Sequence, residues 1–246
     1  MPNYFHKFAS YSVVSLSRGI YNKKDIIMNK FISTEEAVSK IKDGMTLMIG
    51  GFLASGSPQG IIDALVKANV KDLTIICNDT AFPDRGLGVL IANKQVKKVI
   101  TSHIGTNPST IDQLNAKEIE VEFNPQGTLA ERIRSGGAGL GGFLTPTGLG
   151  TIVAEGKQVL NIDGKEYLLE LPIRADVAII AANIADTEGN LVYLGTTQNF
   201  NPLMAMAADV VIAEVAEVKN AGEIAMETVH TQAIFVDFMV RKVESL

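Results

Sequence analysis

The chain has 246 residues, of which 46% are hydrophobic and 20% charged, with a formal net charge of −5. That balance suits one large α/β domain or two small ones with a sizeable core, and it excludes disorder as a description of the whole chain. It also argues against nucleic acid as a partner, because phosphate binding relies on clustered Lys and Arg, and the one basic run, Lys94 to Lys98, is short and reads as a solvated face.

Residues 1–27 hold four basic residues against one acid, Asp25, with several serines among them. The composition is that of an organellar targeting segment, while Met28, opening "MNKFISTEEAV", reads as a natural start. The expectation is therefore an N-terminal extension over 1–27 and one domain over 28–246, placed in the cytoplasm. "STEEAVSKI" predicts a helix capped by Ser33 or Thr34, with Ala37, Val38 and Ile41 on one face. "DGMTLMIGGF" turns at Asp43-Gly44 into a buried strand that stops at Gly50-Gly51. Pro58 then stands at a plausible first helical position for "PQGIIDALVKAN".

The unit of strand, glycine loop and helix recurs. "DLTIICN" reads as a strand, "GLGVLIANKQ" as a helix, "VKKVITS" as a strand, "STIDQLNAKE" as a helix, "IEVEF" as a strand and "TLAERIR" as a helix. Next comes "GGAGLGGFLTPTGLG", residues 136–150, where Leu, Phe and Pro punctuate the glycines and predict an ordered loop rather than a linker. "GKQVLNIDGKEYLLEL" predicts a hairpin turning at Asp163-Gly164. After it come "ADVAIIAANIA", "GNLVYLG", "PLMAMAA", "DVVIAEVAEV" and "AIFVDFMV". Such alternation predicts an α/β fold with a mostly parallel open sheet, helices on both faces and a hairpin excursion.

Ligands of such sheets bind beyond the carboxyl ends of the strands. The residues there are Gly50, Gly51 and Phe52, then Asn78 and Asp79, then Ser102 and His103, and finally Asn124, Pro125, Gln126 and Gly127. Asn78 and Gln126 are neutral amides, suited either to orienting a carboxylate or oxyanion or to capping a loop. The glycines match neither GxGxxG nor GxxxxGK[ST], which weakens nicotinamide-cofactor and P-loop readings. Cys77 lies within an apolar run and reads as a small buried hydrophobe, and no disulfide can form within a chain of one cysteine. His6, His103 and His230 lack ligand spacing, so no metal site is expected, and no apolar run is long enough for a membrane span.

"DGMTLMIGGFLASGSP" resembles the signature of the A (alpha) subunit of class I coenzyme A transferases, whose fold is related to that of sugar-phosphate isomerases. The likeness continues through "LTIICNDTAF", "VITSHIGTNP", "NPQGTLAERIRSGGAGLGGFLTPTGLGT", "YLLELPIRADVAII" and "NFNPLMAMAA", covering roughly residues 30 to 240. "NDTAF" and "SHIGTNP" look closer to the acetate/butyrate–acetoacetate type than to the succinyl-CoA:3-ketoacid type. The resemblance implies ping-pong transfer of coenzyme A between short-chain carboxylic acids through a glutamyl-CoA thioester, with the CoA thioester as substrate and no permanently bound cofactor.

In this family the glutamate lies in an S-E-N-G motif of the B (beta) half, which is absent here; Glu155 and Glu188 stand in other contexts. The resemblance thus implies a chain that is silent alone and works with a beta subunit, usually as α2β2. Asn78 and Gln126 match positions that support the thioester from the alpha side, beside Gly50, Gly51 and Phe52. Gly141 and Gly142 are expected to line the same cleft. Arg132 and Arg134 either meet the CoA phosphates or solvate a helix face. Two rivals are kept: a sugar-phosphate isomerase or deaminase using Asp79 or Asp84 as acid or base, and an effector-binding module without catalysis.

Overall fold

The computed structural model describes residues 30–242, so the extension expected over residues 1–27 lies outside the described residues. Ser33 caps helix α1 (Thr34–Ser39), its hydroxyl oxygen accepting the Glu36 N–H at 3.1 Å. Strand β1 (Thr46–Ile49) leads through the glycine turn to α2 (Gln59–Ala68), and Pro58 stands just outside the helix as its cap. Then follow β2 (Leu73–Ile76), α3 (Gly88–Ala92), β3 (Val96–Thr101), α4 (Pro108–Asn115), β4 (Glu120–Phe123) and α5 (Gln126–Gly137). Helix α3 is shorter than its apolar pattern suggests. The chain leaves the helix at Asn93, and Lys94 takes a left-handed φ of +52° that turns it into β3.

The second half holds β5 (Phe143–Thr145), β6 (Val159–Ile162), β7 (Lys165–Glu170), β8 (Ala175–Asp186), β9 (Leu191–Val192), α6 (Asn201–Met206), β10 (Ala208–Lys219) and β11 (Phe238–Arg241). "GNLVYLG" keeps only the two residues of β9 as strand, and "AIFVDFMV" divides into a 3₁₀ turn, Ala233–Phe235, followed by β11.

The main sheet runs β11-β10-β8-β1-β2-β3-β4 with every neighbour parallel, and β9 adds antiparallel to β8. The expected α/β architecture is present. Alternation along each strand divides the core in two: Leu47 and Ile49 pack with α1, α2 and α3 on one face, while Met48 packs with α5 and α6 on the other. Each of these side chains is wholly buried, and full burial of a Leu, Ile or Met is worth roughly 1.5–3 kcal/mol. Strands β1 to β4 step away from the centre on one side, and β8, β10 and β11 on the other. The strand order therefore reverses between β1 and β8, where parallel open sheets bind ligands.

The hairpin excursion is larger than predicted. Strands β6 and β7 join at Asp163 (φ +52°) and Gly164 (φ +77°), the pair of left-handed residues a two-residue hairpin turn demands. β5 adds to the other side of β7, giving a three-stranded antiparallel sheet in the order β5-β7-β6. The run 136–150 is accordingly ordered but is no single loop: it supplies the last turn of α5, then β5, then a turn.

Candidate active site

At the end of β1 the Gly50 N–H donates to the Ile179 carbonyl at 3.0 Å, holding the chain against β8. The chain then folds into a turn closed by reciprocal backbone bonds between Phe52 and Ser55, 3.0 and 2.9 Å long. Gly51, Leu53, Ala54 and Gly56 have φ of +130°, +48°, +68° and +71°. For Leu53 and Ala54 that conformation costs about 1–2 kcal/mol each, so outside contacts must impose it. One comes from Asp79, whose Oδ2 accepts the Leu53 N–H at 3.0 Å. Phe52 emerges at the turn with 42% of its surface exposed.

At the end of β2, Asn78 is buried. Its Nδ2 donates to Asp79 Oδ2 at 2.6 Å, and its backbone carbonyl accepts from Thr101 Oγ1, Ser102 Oγ and the Ser102 N–H. Gln126 opens α5 beyond the end of β4, and its Nε2 donates to Asn78 Oδ1 at 2.7 Å. The two amides that the sequence singles out, 48 residues apart, are thus one hydrogen-bonded pair. The first N–H groups of the 12-residue α5 lie beside Gln126, and helix starts of this kind favour negative charge.

Asp79 cannot combine this role with acid–base work while its bonds hold. Its Oδ1 accepts the Ala81 N–H at 2.8 Å, and its Oδ2 is shared by Leu53 and Asn78. Asp84 is exposed and faces Arg85 at 3.5 Å. These two placements weaken the isomerase reading. Arg132 neither solvates a helix face nor stands free: its Nη1 donates to Glu122 Oε1 at 2.9 Å and to Asn124 Oδ1 at 2.6 Å, and its Nε to the Leu171 carbonyl at 2.9 Å. It ties the rim at Asn124 to the end of the small sheet. Burial opposes the charge on Glu122, but hydrogen bonds from Arg132 and Lys98 hold its carboxyl below the ordinary range. Arg134 is the surface residue, paired with Glu131 at 2.7 Å.

The sequence also singles out Gly141 and Gly142. They follow the far end of α5, a helix about 18 Å long, from Gln126 at its start. Gly142 has φ +143°, and a Cβ there would lie 2.5 Å from the Glu170 carbonyl oxygen, whereas one on Gly141 would meet nothing within 4 Å. The glycines nearer the helix serve packing: a Cβ on Gly136 would sit 2.0 Å from the Ile173 carbonyl oxygen.

Three residues of the site escape sequence reasoning. Asn199, just before α6, and Asn201, its first residue, bond to the turn after β1. Glu214, buried within β10, accepts the Ile61 N–H at 2.8 Å at the start of α2. Burial pushes its carboxyl pKa up, opposed by the Ile61 and Gly60 N–H groups and by Lys242. The available signal was an acid inside the apolar run "DVVIAEVAEV", since buried carboxylates are rare unless partnered.

A mostly parallel open sheet with a glycine turn at its switch point and two paired amides beyond the ends of β2 and β4 makes this an α/β protein of the open-sheet class. A family model described as coenzyme A transferase matches residues 31–242, and the chain belongs to that family. It is similar to the acetoacetyl-CoA:acetate/butyrate CoA transferase alpha subunit of Clostridium acetobutylicum, with 53% identity over 214 residues, 87% of this chain and 98% of that one. The alpha subunit of acetate CoA-transferase from Escherichia coli is 50% identical over 88% of this chain and 98% of its own. The corresponding subunit of succinyl-CoA:3-ketoacid coenzyme A transferase from Helicobacter pylori is 45% identical over 87% and 93%. Among solved structures, an acyl-CoA transferase from Escherichia coli O157:H7 in thioester complex with CoA superposes with a TM-score of 0.77 at 24% identity. The match covers 88% of this chain and 48% of that one, so this chain spans about half that structure's length. Glutaconate coenzyme A-transferase from Acidaminococcus fermentans gives 0.77 at 18% identity, over 86% and 75%. At these identities the structural likeness bears on the fold alone. Among the described residues, no helix is long and apolar enough to cross a membrane.

Proposed function

We propose that this chain is the alpha subunit of a short-chain acyl-CoA:carboxylate CoA-transferase of the acetate/butyrate–acetoacetate type. It works with a separate beta subunit, in an α2β2 assembly, and takes the CoA thioester as substrate. The observation that carries the reading is the Gln126–Asn78 amide pair beside the Gly51–Phe52 turn. The amides offer uncharged polarity where a thioester oxygen gains charge, and the carboxylate next to them, Asp79, is committed to three donors. The nucleophile then comes from the beta subunit, in keeping with the lack of S-E-N-G here.

In this reading a beta-subunit glutamate attacks the thioester carbonyl, the C–S bond breaks, and CoA leaves as the thiolate. The thiolate next attacks the glutamyl carbonyl of the mixed anhydride, releasing the first acid as its carboxylate. The reverse steps pass CoA to the second acid. The Gln126 amide and the start of α5 stabilise the successive oxyanions, and Gly50, Gly51 and Phe52 shape the acyl site. Gly141 and Gly142, which follow the other end of α5 from Gln126, contribute at the margin that faces the partner subunit.

The test is CoA transfer from acetoacetyl-CoA to acetate, followed by loss of enolate absorbance, with this chain alone and co-expressed with an S-E-N-G beta subunit. Turnover is expected only in the mixture, and turnover by the chain alone overturns the division of labour. Transfer from succinyl-CoA but not from acetate or butyrate donors moves the assignment to the succinyl-CoA:3-ketoacid type, to which the 45% identical relative belongs. Binding of acyl-CoA without turnover from any short donor favours the effector-binding module.

A further inference from the structure

We propose that Asn199 is a positioning residue that staples the Gly51–Ser55 turn into the shape needed for acyl transfer, an assignment that rests on the functional reading above. The side chain reaches both ends of the turn. Its Oδ1 accepts the Gly51 N–H at 3.1 Å, and its Nδ2 donates to the Ser55 carbonyl at 3.0 Å, across 148 and 144 residues of sequence. The same amide is fixed from behind: Oδ1 also accepts the Phe200 N–H at 2.7 Å, and Nδ2 is shared with the Thr196 and Thr197 carbonyls at 2.9 and 3.2 Å.

The turn needs such a device. Its backbone pairs Phe52 with Ser55 and adds a longer bond from the Ser57 N–H to the Ala54 carbonyl at 3.3 Å, and two of its non-glycine residues are left-handed. Asp79 holds only the Leu53 N–H, and Asn201 only the Gly56 carbonyl at 3.0 Å. Among the described residues, Asn199 is the one side chain bonded to both the entry and the exit of the turn. Asn201 differs in kind. It is wholly buried, and its Oδ1 accepts the Ala181 N–H at 3.2 Å, which makes it part of the core.

Asn199 has φ +22°, a left-handed backbone that Gly also accepts. Asn199→Gly therefore removes the staple without forcing the backbone, and Asn199→Asp keeps the Gly51 acceptor but sets a carboxylate against the Ser55 carbonyl. In the functional reading above the turn shapes the acyl site and not the nucleotide site, so the loss should appear in turnover.

The experiment compares wild type, Asn199→Gly and Asn199→Asp, each assembled with the beta subunit. It measures kcat and KM for acetoacetyl-CoA, and hydrogen exchange of the peptide covering residues 50–58. Asn199→Gly is expected to lower kcat at least tenfold, to change KM less than threefold, and to speed exchange in 50–58 at least tenfold while peptides from β8 and β10 stay protected. Asn199→Asp should fall between the two. Unchanged exchange in 50–58, or a kcat within twofold of an active wild type, overturns the staple. Faster exchange throughout the molecule also overturns it, leaving Asn199 a general stability contact. Should the wild-type assembly transfer no CoA, the functional reading fails and the exchange pattern alone still decides whether Asn199 holds the turn.

Discussion

In the turn after β1, glycine answers two demands together: Gly51 and Gly56 carry left-handed φ, and Gly50 has no room for a side chain against Asn201. In residues 136–150 the demands are scattered. Gly136 and Gly137 admit the Ile173 carbonyl and Met206, Gly142 and Gly148 combine left-handed φ with close neighbours, Gly139 and Gly150 have left-handed φ in open space, and Gly141 has neither constraint. Both stretches constrain their glycines; in the turn the constraints fall on one short loop, and in 136–150 they are spread over a helix end, a strand start and a turn. Glycine density therefore says little about where backbone is held for chemistry, and the hydrogen bonds that hold it say much more.

The strongest challenge to this contrast is Gly50→Ala. The new Cβ would fall 1.8 Å from Asn201 Oδ1, so Asn201 must give up its bonds to Ala181 and Gly56. A loss of about 3 kcal/mol is expected from the combined overpacking and broken hydrogen bonds. Denaturant unfolding checks it, and unchanged stability would mean that the core around Asn201 is far softer than its bonding implies.

A smaller effect tests how α2 is anchored below the same turn. Glu214→Gln keeps an acceptor for the Ile61 N–H and removes the charge. Burial raises the Glu214 pKa, so the stability it contributes is fully present below the unfolded carboxylate value near 4.5 and is lost as pH rises through the native one. As pH rises above the unfolded carboxylate value and through the raised native one, the wild type should therefore lose melting temperature relative to the variant. A constant difference across that range would show that Glu214 does not titrate there.

The smallest expected change is at Gly141→Val, in the other stretch. Open space around Gly141 predicts a stability change under about 0.5 kcal/mol, measured by thermal unfolding. A fall in turnover at unchanged stability would then locate this margin at the cleft or the subunit contact. Gly142→Val cannot serve, because its φ of +143° and the nearby Glu170 carbonyl would strain the fold itself.

The alternation of strands and helices was legible because strands such as β1 and β2, covered on both faces, must be apolar almost throughout. Asn78 and Gln126 were legible as polar residues at the points where such runs stop. β5 was not, being three residues in a glycine-rich run whose pairing, Phe143 with Glu170, is fixed by a strand not yet reached. Asn199 was hidden for the same reason at longer range: its meaning lies in Gly51 and Ser55, and local pattern carries no trace of a bond across 148 residues.

The place of β1 in the sheet also bears on how the chain is made. One side of β1 is covered early, by β2, but the other waits for β8, and the Thr46 N–H finds its partner, Asp176, only 130 residues later. Until the ribosome has delivered β8, a nascent chain carries Leu47, Met48 and Ile49 along an unpaired strand edge, among the most adhesive surfaces a polypeptide can present. The interval between translation of β2 and of β8, the small sheet included, is therefore the one in which that edge stands open.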